Sequence, residues 1–178
     1  VVVWMIQYWG TFDPLAFRDP DDAMRLVQVR DFLAGQNWFD VSQHRVNPPL
    51  GGPMHWSRLV DMPIAGIILL TRPIVGAHWA EVIACITVPI LTFGLMCLGY
   101  FWAMQRFLGT GVAVFAIALL TTSFPILVQT PPLRIDHHAW QIVMAAIVSG
   151  GIIHPIPRKG GLIAGLARVL SGQEAICT

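Results

Sequence analysis

Charge is what this 178-residue chain has least of: Asp, Glu, Lys and Arg make up 12% of it, against 55% hydrophobic residues. A soluble domain carries about a quarter charged residues. With a mean hydropathy of +0.63, the composition excludes an ordinary soluble fold and predicts an integral membrane protein. Net charge is only +1, and the longest basic run is Arg158-Lys159, which leaves no surface for a nucleic acid. Cysteine is nearly absent too. Cys85 and Cys97 fall in one predicted helix about 18 Å apart, too far for a disulfide. With Cys177 they form no ligand spacing, so all three read as apolar filling rather than a zinc site. Internal repeats, heptads, low-complexity tracts and a Ser-His-Asp order are missing, and Gly-x-Gly at 109–111 is too weak a signal for a phosphate loop.

What charge there is, is concentrated. Residues 13–61 hold 12 of the 21 Asp, Glu, Lys and Arg residues, together with Asn47-Pro48-Pro49 and Gly51-Gly52-Pro53. This segment reads as a long extramembrane loop. Inside it Asp19 suits a helix N-cap, Pro20 the first helical position, and Asp21 and Asp22 the positive end of the dipole. A helix from Pro20 to Ala34 follows, with Leu26, Val29 and Leu33 on one face and Gly35 as its stop.

The apolar remainder predicts an all-α, polytopic membrane protein in a single domain. Val1–Phe12 is too short to span a bilayer that needs about 20 residues, and reads as the end of a first transmembrane helix of a longer chain. Residues 62–80 read as interfacial, and 82–105, 107–133, 139–157 and 160–178 as transmembrane helices, Arg168 being out of place in the last. Two crossings then separate the acidic loop from a second cluster, Arg134-Ile135-Asp136-His137-His138, so both face the same side. The short basic turns at Arg106 and Arg158-Lys159 face the other, as positive-inside topology requires. Most tryptophans fall at predicted membrane edges, where anchoring explains them.

Carboxylates beside hydrocarbon are costly and usually mark a site. Asp-Pro-Asp-Asp has a structural explanation as a helix start; its functional reading makes Asp21 or Asp22 an oxygen ligand for Mg²⁺ or Mn²⁺, or an acceptor from a reacting group. Asp136 and His138, two residues apart, offer one oxygen and one nitrogen to the same ion, a mixture that suits Mn²⁺. The alternative is a hydrated loop beside the interfacial Trp140. Arg58, Arg134 and His137 are the candidate substrate-binding residues, the arginines for a lipid phosphate. Glu81 reads as a helix cap, and Glu174 as a residue of the last span.

At Asp21-Asp22-Ala23, followed by Arg30-Asp31-Phe32-Leu33-Ala34-Gly35, and again at Asp136-His137-His138, the chain resembles the catalytic subunits of oligosaccharyltransferases, membrane glycosyltransferases of the GT-C fold. The resemblance implies a catalytic, metal-binding Asp21 with Asp22 beside it, and Asp136 and His138 as further ligands of a divalent Mn²⁺ or Mg²⁺. It implies a sugar or oligosaccharide donor linked to a polyprenyl phosphate or pyrophosphate, and a protein, lipid or glycan acceptor. It also implies a bacterial inner membrane with the active-site loops in the periplasm. The family's Trp-Trp-Asp acceptor motif does not occur in these 178 residues, which are expected to be inactive by themselves. The competing expectation is a transporter or membrane assembly subunit whose Asp and His residues relay ions. It requires ionisable residues within the spans, and 82–105 and 107–133 contain none.

Overall fold

A computed structural model describes residues 1–153. They form five helices, α1 (Val2–Phe12), α2 (Pro20–Leu33), α3 (Arg58–Leu120), α4 (Phe124–Gln129) and α5 (His138–Ile153). A two-residue antiparallel pair, β1 (Ser42–Gln43) and β2 (Gly52–Pro53), lies in the loop before α3. The architecture is all-α in substance. Residues Arg58–Gln105 are long and apolar enough to cross a membrane by length and composition, and Leu108–Leu120 and His138–Ile152 are shorter apolar helices.

The start of α2 follows from its sequence. Asp19, in extended backbone, accepts the Asp21 N–H at 2.9 Å, and Pro20 occupies the first turn with Asp21 and Asp22. This satisfies one of the orphan donors and places negative charge at the positive end of the dipole. Gly35 ends the helix at φ +107°, a conformation a side chain opposes.

α3 is three stretches, 58–75, 77–108 and 110–120, divided by Gly76 (φ 83°, ψ 171°) and Gly109 (φ 78°, ψ 161°). That combination of angles is essentially restricted to glycine. α1 runs antiparallel to the middle stretch: Trp4 meets Phe93 edge-on at 5.2 Å between ring centroids, and Asp13 meets His78 at 3.0 Å. Trp4, Tyr8 and Phe12 of α1 join Leu26 and Val29 of α2, Ile64, Val82 and Val88 of α3, and Leu133 and Ile135 in one core. α5 packs along α3 so closely that a Cβ on Gly150 would stand 2.2 Å from the Trp102 ring.

Two segments differ from expectation. Residues 62–80, expected as a stretch of their own, are helical apart from Gly76 and continuous with the rest of α3. Pro63 and Pro73 are accommodated inside the helix because Ile64, Ala65 and Ile68 are buried in the core, and that packing outweighs the carbonyls the prolines leave free. Residues 107–133 are not one crossing helix. The chain breaks at Gly109, leaves the helix at Thr121, resumes as α4, and loses it again before Pro131-Pro132, which have no N–H to donate. The return nevertheless happens: the Leu133 N–H donates to the Cys85 carbonyl at 2.9 Å. The expectations for 154–157, for the helix 160–178, and for Arg158-Lys159, Arg168, Glu174 and Cys177 lie outside the described residues.

Candidate functional site

Leu133 has φ +69°, an uncommon value for a side-chain-bearing residue. Fixed by its bond to Cys85, it turns the chain so that Arg134-Ile135-Asp136 reaches the first turn of α2. One Asp22 carboxylate oxygen accepts the N–H groups of both Ile135 (2.8 Å) and Asp136 (3.0 Å). The other accepts from Arg134 Nη1 at 3.0 Å. The same guanidinium nitrogen lies 2.6 Å from Asp19 Oδ2, and Nη2 lies 3.2 Å from Asp136 Oδ2. The two acidic clusters, more than a hundred residues apart in the chain, thus converge on one arginine.

The helical face explains which aspartate takes part. Asp22, Leu26 and Val29 are spaced i, i+4, i+7 and all three are buried, so Asp22 extends the apolar stripe by one turn. Asp21 is rotated about 100° away, is half-buried, and contributes its backbone N–H to Asp19. Asp22, not Asp21, therefore meets the second motif. Burial raises the Asp22 carboxyl to about 6, because the loss of water exceeds the pull of Arg134, and the charge on Asp136 adds to the rise. Asp19 is held below the ordinary carboxylate range, first by the Asp21 N–H and then by Arg134.

Asp136 caps the start of α5. Its Oδ1 accepts the His138 N–H at 2.8 Å, while Oδ2, buried, is ion-paired with Arg134 at an angle that makes no hydrogen bond. His138 Nε2 stands 3.6 Å from this oxygen on a side chain 41% exposed. His137 lies beside His138 (4.5 Å between centroids), His55 (6.2 Å) and Trp56 (6.1 Å), with its buried Nδ1 unpaired. Burial lowers its pKa, the charge on Asp136 opposes the fall, and His138, Arg25 and His55 add to it.

The structure gives Arg58 a different place from the expected one. It is 3% exposed and donates to Gln36 Oε1 (2.8 Å), the Asp40 carbonyl, the Gln28 carbonyl and Asp61. That ties α2, the loop after it and the start of α3 together, and leaves no donor row for a lipid phosphate. Beside it Arg25 and Asp61 form an ion pair of 2.9 Å with both side chains fully buried, Gln28 donates to Asp61 at 3.2 Å, and the Arg25 guanidinium lies 4.6 Å over the Trp56 ring. Glu81 caps nothing: it sits within α3 and receives Arg30.

Among the described residues no three His, Cys, Asp or Glu side chains converge as a metal-holding set. The expected trio of Asp21, Asp136 and His138 is not brought together, and Arg134 fills the centre between Asp19, Asp22 and Asp136. What remains for a cation is one oxygen and one nitrogen, Asp136 Oδ2 and His138 Nε2. Sequence reasoning missed Asp19 as a partner of Arg134, and missed Arg25 and Asp61 altogether. The first was visible as an arginine-poor site with surplus acid; for the second, the spacing of Arg25 four residues before Val29 was the signal.

No protein-family model matches this chain, and no curated protein or solved structure matches it either.

Proposed function

We propose that the protein is a polytopic membrane glycosyltransferase of GT-C type, transferring a sugar from a polyprenyl-phosphate or pyrophosphate donor at the site formed by Asp22, Arg134, Asp136 and His138. The observation that carries this reading is the seat of the Ile135 and Asp136 N–H groups on Asp22. The two motifs of the resemblance, distant in sequence, share one carboxylate.

Each residue then has a distinct task. Asp22 is a positioning residue, since it is buried and spends both oxygens on the second motif. Arg134 is shared among three carboxylates and offsets part of their repulsion, which lets Asp136 be held close to Asp22. Asp136 and His138 are the groups left to meet substrate. They also suit a divalent cation that keeps waters and takes substrate phosphate as a ligand, as Mg²⁺ and Mn²⁺ do with only one or two protein carboxylates. Such an ion supplies Lewis-acid stabilisation of the charge that grows on the leaving phosphate.

The test is sugar transfer from a polyprenyl-linked donor by full-length protein. Asp136→Ala is expected to lower transfer at least a hundredfold, and chelation to abolish it with recovery on Mn²⁺. Asp21→Ala is expected to cost less than tenfold. Undiminished transfer by Asp136→Ala would sink the reading, and a larger loss at Asp21 than at Asp136 would return the ligand role to Asp21.

A further inference from the structure

Both arginines expected from sequence to meet a lipid phosphate are spent: Arg58 is sealed against backbone carbonyls and Arg134 is shared among three carboxylates. A third was overlooked. Arg18 is exposed, its guanidinium lies 4.4 Å over the Tyr8 ring, and among the described residues no carboxylate pairs with it. Arg18 and Tyr8 line a cavity of about 1120 Å³ between α1, Phe93 of α3, α4 and the segment leading to Arg134. The walls toward α4 are hydrocarbon: Trp4, Phe93, Phe124, Leu127, Val128 and Leu133. The other end carries Arg18, Asp19, Asp22 and Arg134. Ligand cavities commonly hold roughly 300–1,000 Å³, so this one has room for a long chain. Its charged end borders the carboxylate cluster, and of its two cations only Arg18 is uncommitted.

We infer that this cavity takes the isoprenoid chain of a phosphorylated lipid, the donor of the proposed reaction, and that Arg18 binds its phosphate. The inference rests on the transferase reading for the identity of the lipid, while the cavity and the free cation stand apart from it. Arg is suited to the task because its planar fork matches phosphate oxygens two at a time, and the Tyr8 face holds the guanidinium ready at little entropic cost. The phosphate would then lie beside Arg134, one residue from Ile135 and two from Asp136, so the bond to the sugar is presented to the proposed reacting groups.

The experiment is a binding titration of the full chain in nanodiscs with geranylgeranyl phosphate, geranylgeraniol and inorganic phosphate. Wild type is expected to bind the phosphorylated chain at least tenfold more tightly than the alcohol, with no competition from millimolar inorganic phosphate. Arg18→Gln is expected to erase that difference and leave alcohol binding unchanged. Val128→Trp, which fills the cavity from a side chain already 46% exposed, is expected to weaken both lipids at least tenfold without unfolding the protein. Equal binding of phosphate and alcohol by wild type, or an Arg18→Gln protein as tight as wild type, would overturn the proposal. Competition by inorganic phosphate would make it a free-phosphate site and remove the lipid. Lost lipid selectivity with sugar transfer intact rejects this cavity alone; Arg18-dependent binding in a protein that transfers nothing rejects the transferase and keeps the cavity.

Discussion

Two arginine–carboxylate clusters meet α2, at Asp22 and at Arg25, and they are built on opposite charge balances. Around Arg134, one guanidinium serves Asp19, Asp22 and Asp136, and the cluster borders a cavity with Asp19 and Arg134 partly open to solvent. Around Asp61, two guanidiniums share one carboxylate, all three side chains at 0–2% exposure. In the sealed cluster Arg58 also donates to the Gln28 and Asp40 carbonyls and to Gln36, which fixes the entry of α3 against α2, while Arg25 Nε and Nη2, Gln28 Oε1 and Arg58 Nε stay buried without a hydrogen-bond partner. The open one carries surplus negative charge and has the exposed imidazole of His138 beside it. Burial completeness and charge surplus, rather than the presence of ion pairs, separate the sealed cluster from the proposed site.

The hardest way to break the comparison is to remove the shared carboxylate of the sealed cluster. Asp61→Ala strands two buried guanidiniums and is expected to cost about 3–5 kcal/mol, read as loss of folded protein or as a collapsed unfolding midpoint in detergent. Arg134→Gln comes next. It leaves Asp19 open to water, and Asp22 and Asp136, though buried, able to bind protons, so a smaller destabilisation of about 1–3 kcal/mol is expected, together with a transfer loss as large as that of Asp136→Ala. Equal stability losses in the two variants would erase the distinction between scaffold and site.

A pH titration sharpens it further. The Asp22 carboxyl is raised from 3.8 to about 6, so the folded state holds its proton more tightly than the unfolded state. Its contribution to stability is complete below pH 4 and is lost as pH rises to about 6. Asp22→Asn keeps the acceptor for Ile135 and Asp136, and is expected to flatten the stability profile between pH 4 and 6 by about 1–3 kcal/mol. An unchanged profile would mean that Asp22 titrates normally. The smallest effect belongs to the solvent-facing pair of Arg30 and Glu81, whose arginine side chain is 49% exposed. Arg30→Ala is expected to cost under about 1 kcal/mol, measured by the same unfolding.

Local signals were read correctly where a few residues decide the outcome. Asp19, Pro20 and Gly35 bracket α2 as their chemistry requires, and the two motifs, far apart in sequence, do meet, through Asp22. What failed was resolution around the helix axis. Choosing Asp21 over Asp22 is a one-residue error, but it turns the side chain from the core to the flank, and only the stripe of Leu26 and Val29 carried back one turn reveals it. The burial of Arg58 and Asp61 was hidden for another reason: in a polar loop, charges read as hydrated, and nothing near them in sequence shows that α2 and the start of α3 close over them. The divisions at Gly76 and Gly109 depend on φ values that many other glycines in the chain do not adopt, and the β pair is too short to alternate.

The seat of residues 135 and 136 on Asp22 also sets an order of events during synthesis. Asp19 and Asp22 leave the ribosome more than a hundred residues before Arg134, which at about 5–20 residues per second is a wait of roughly 5–20 seconds. For that interval the start of α2 carries its carboxylates without their cation, and burial of Asp22 must await the return of the chain past Cys85. The contact between the two motifs therefore cannot form until residue 136 has been made, and a polypeptide released before then would display α2 with its acids still facing water.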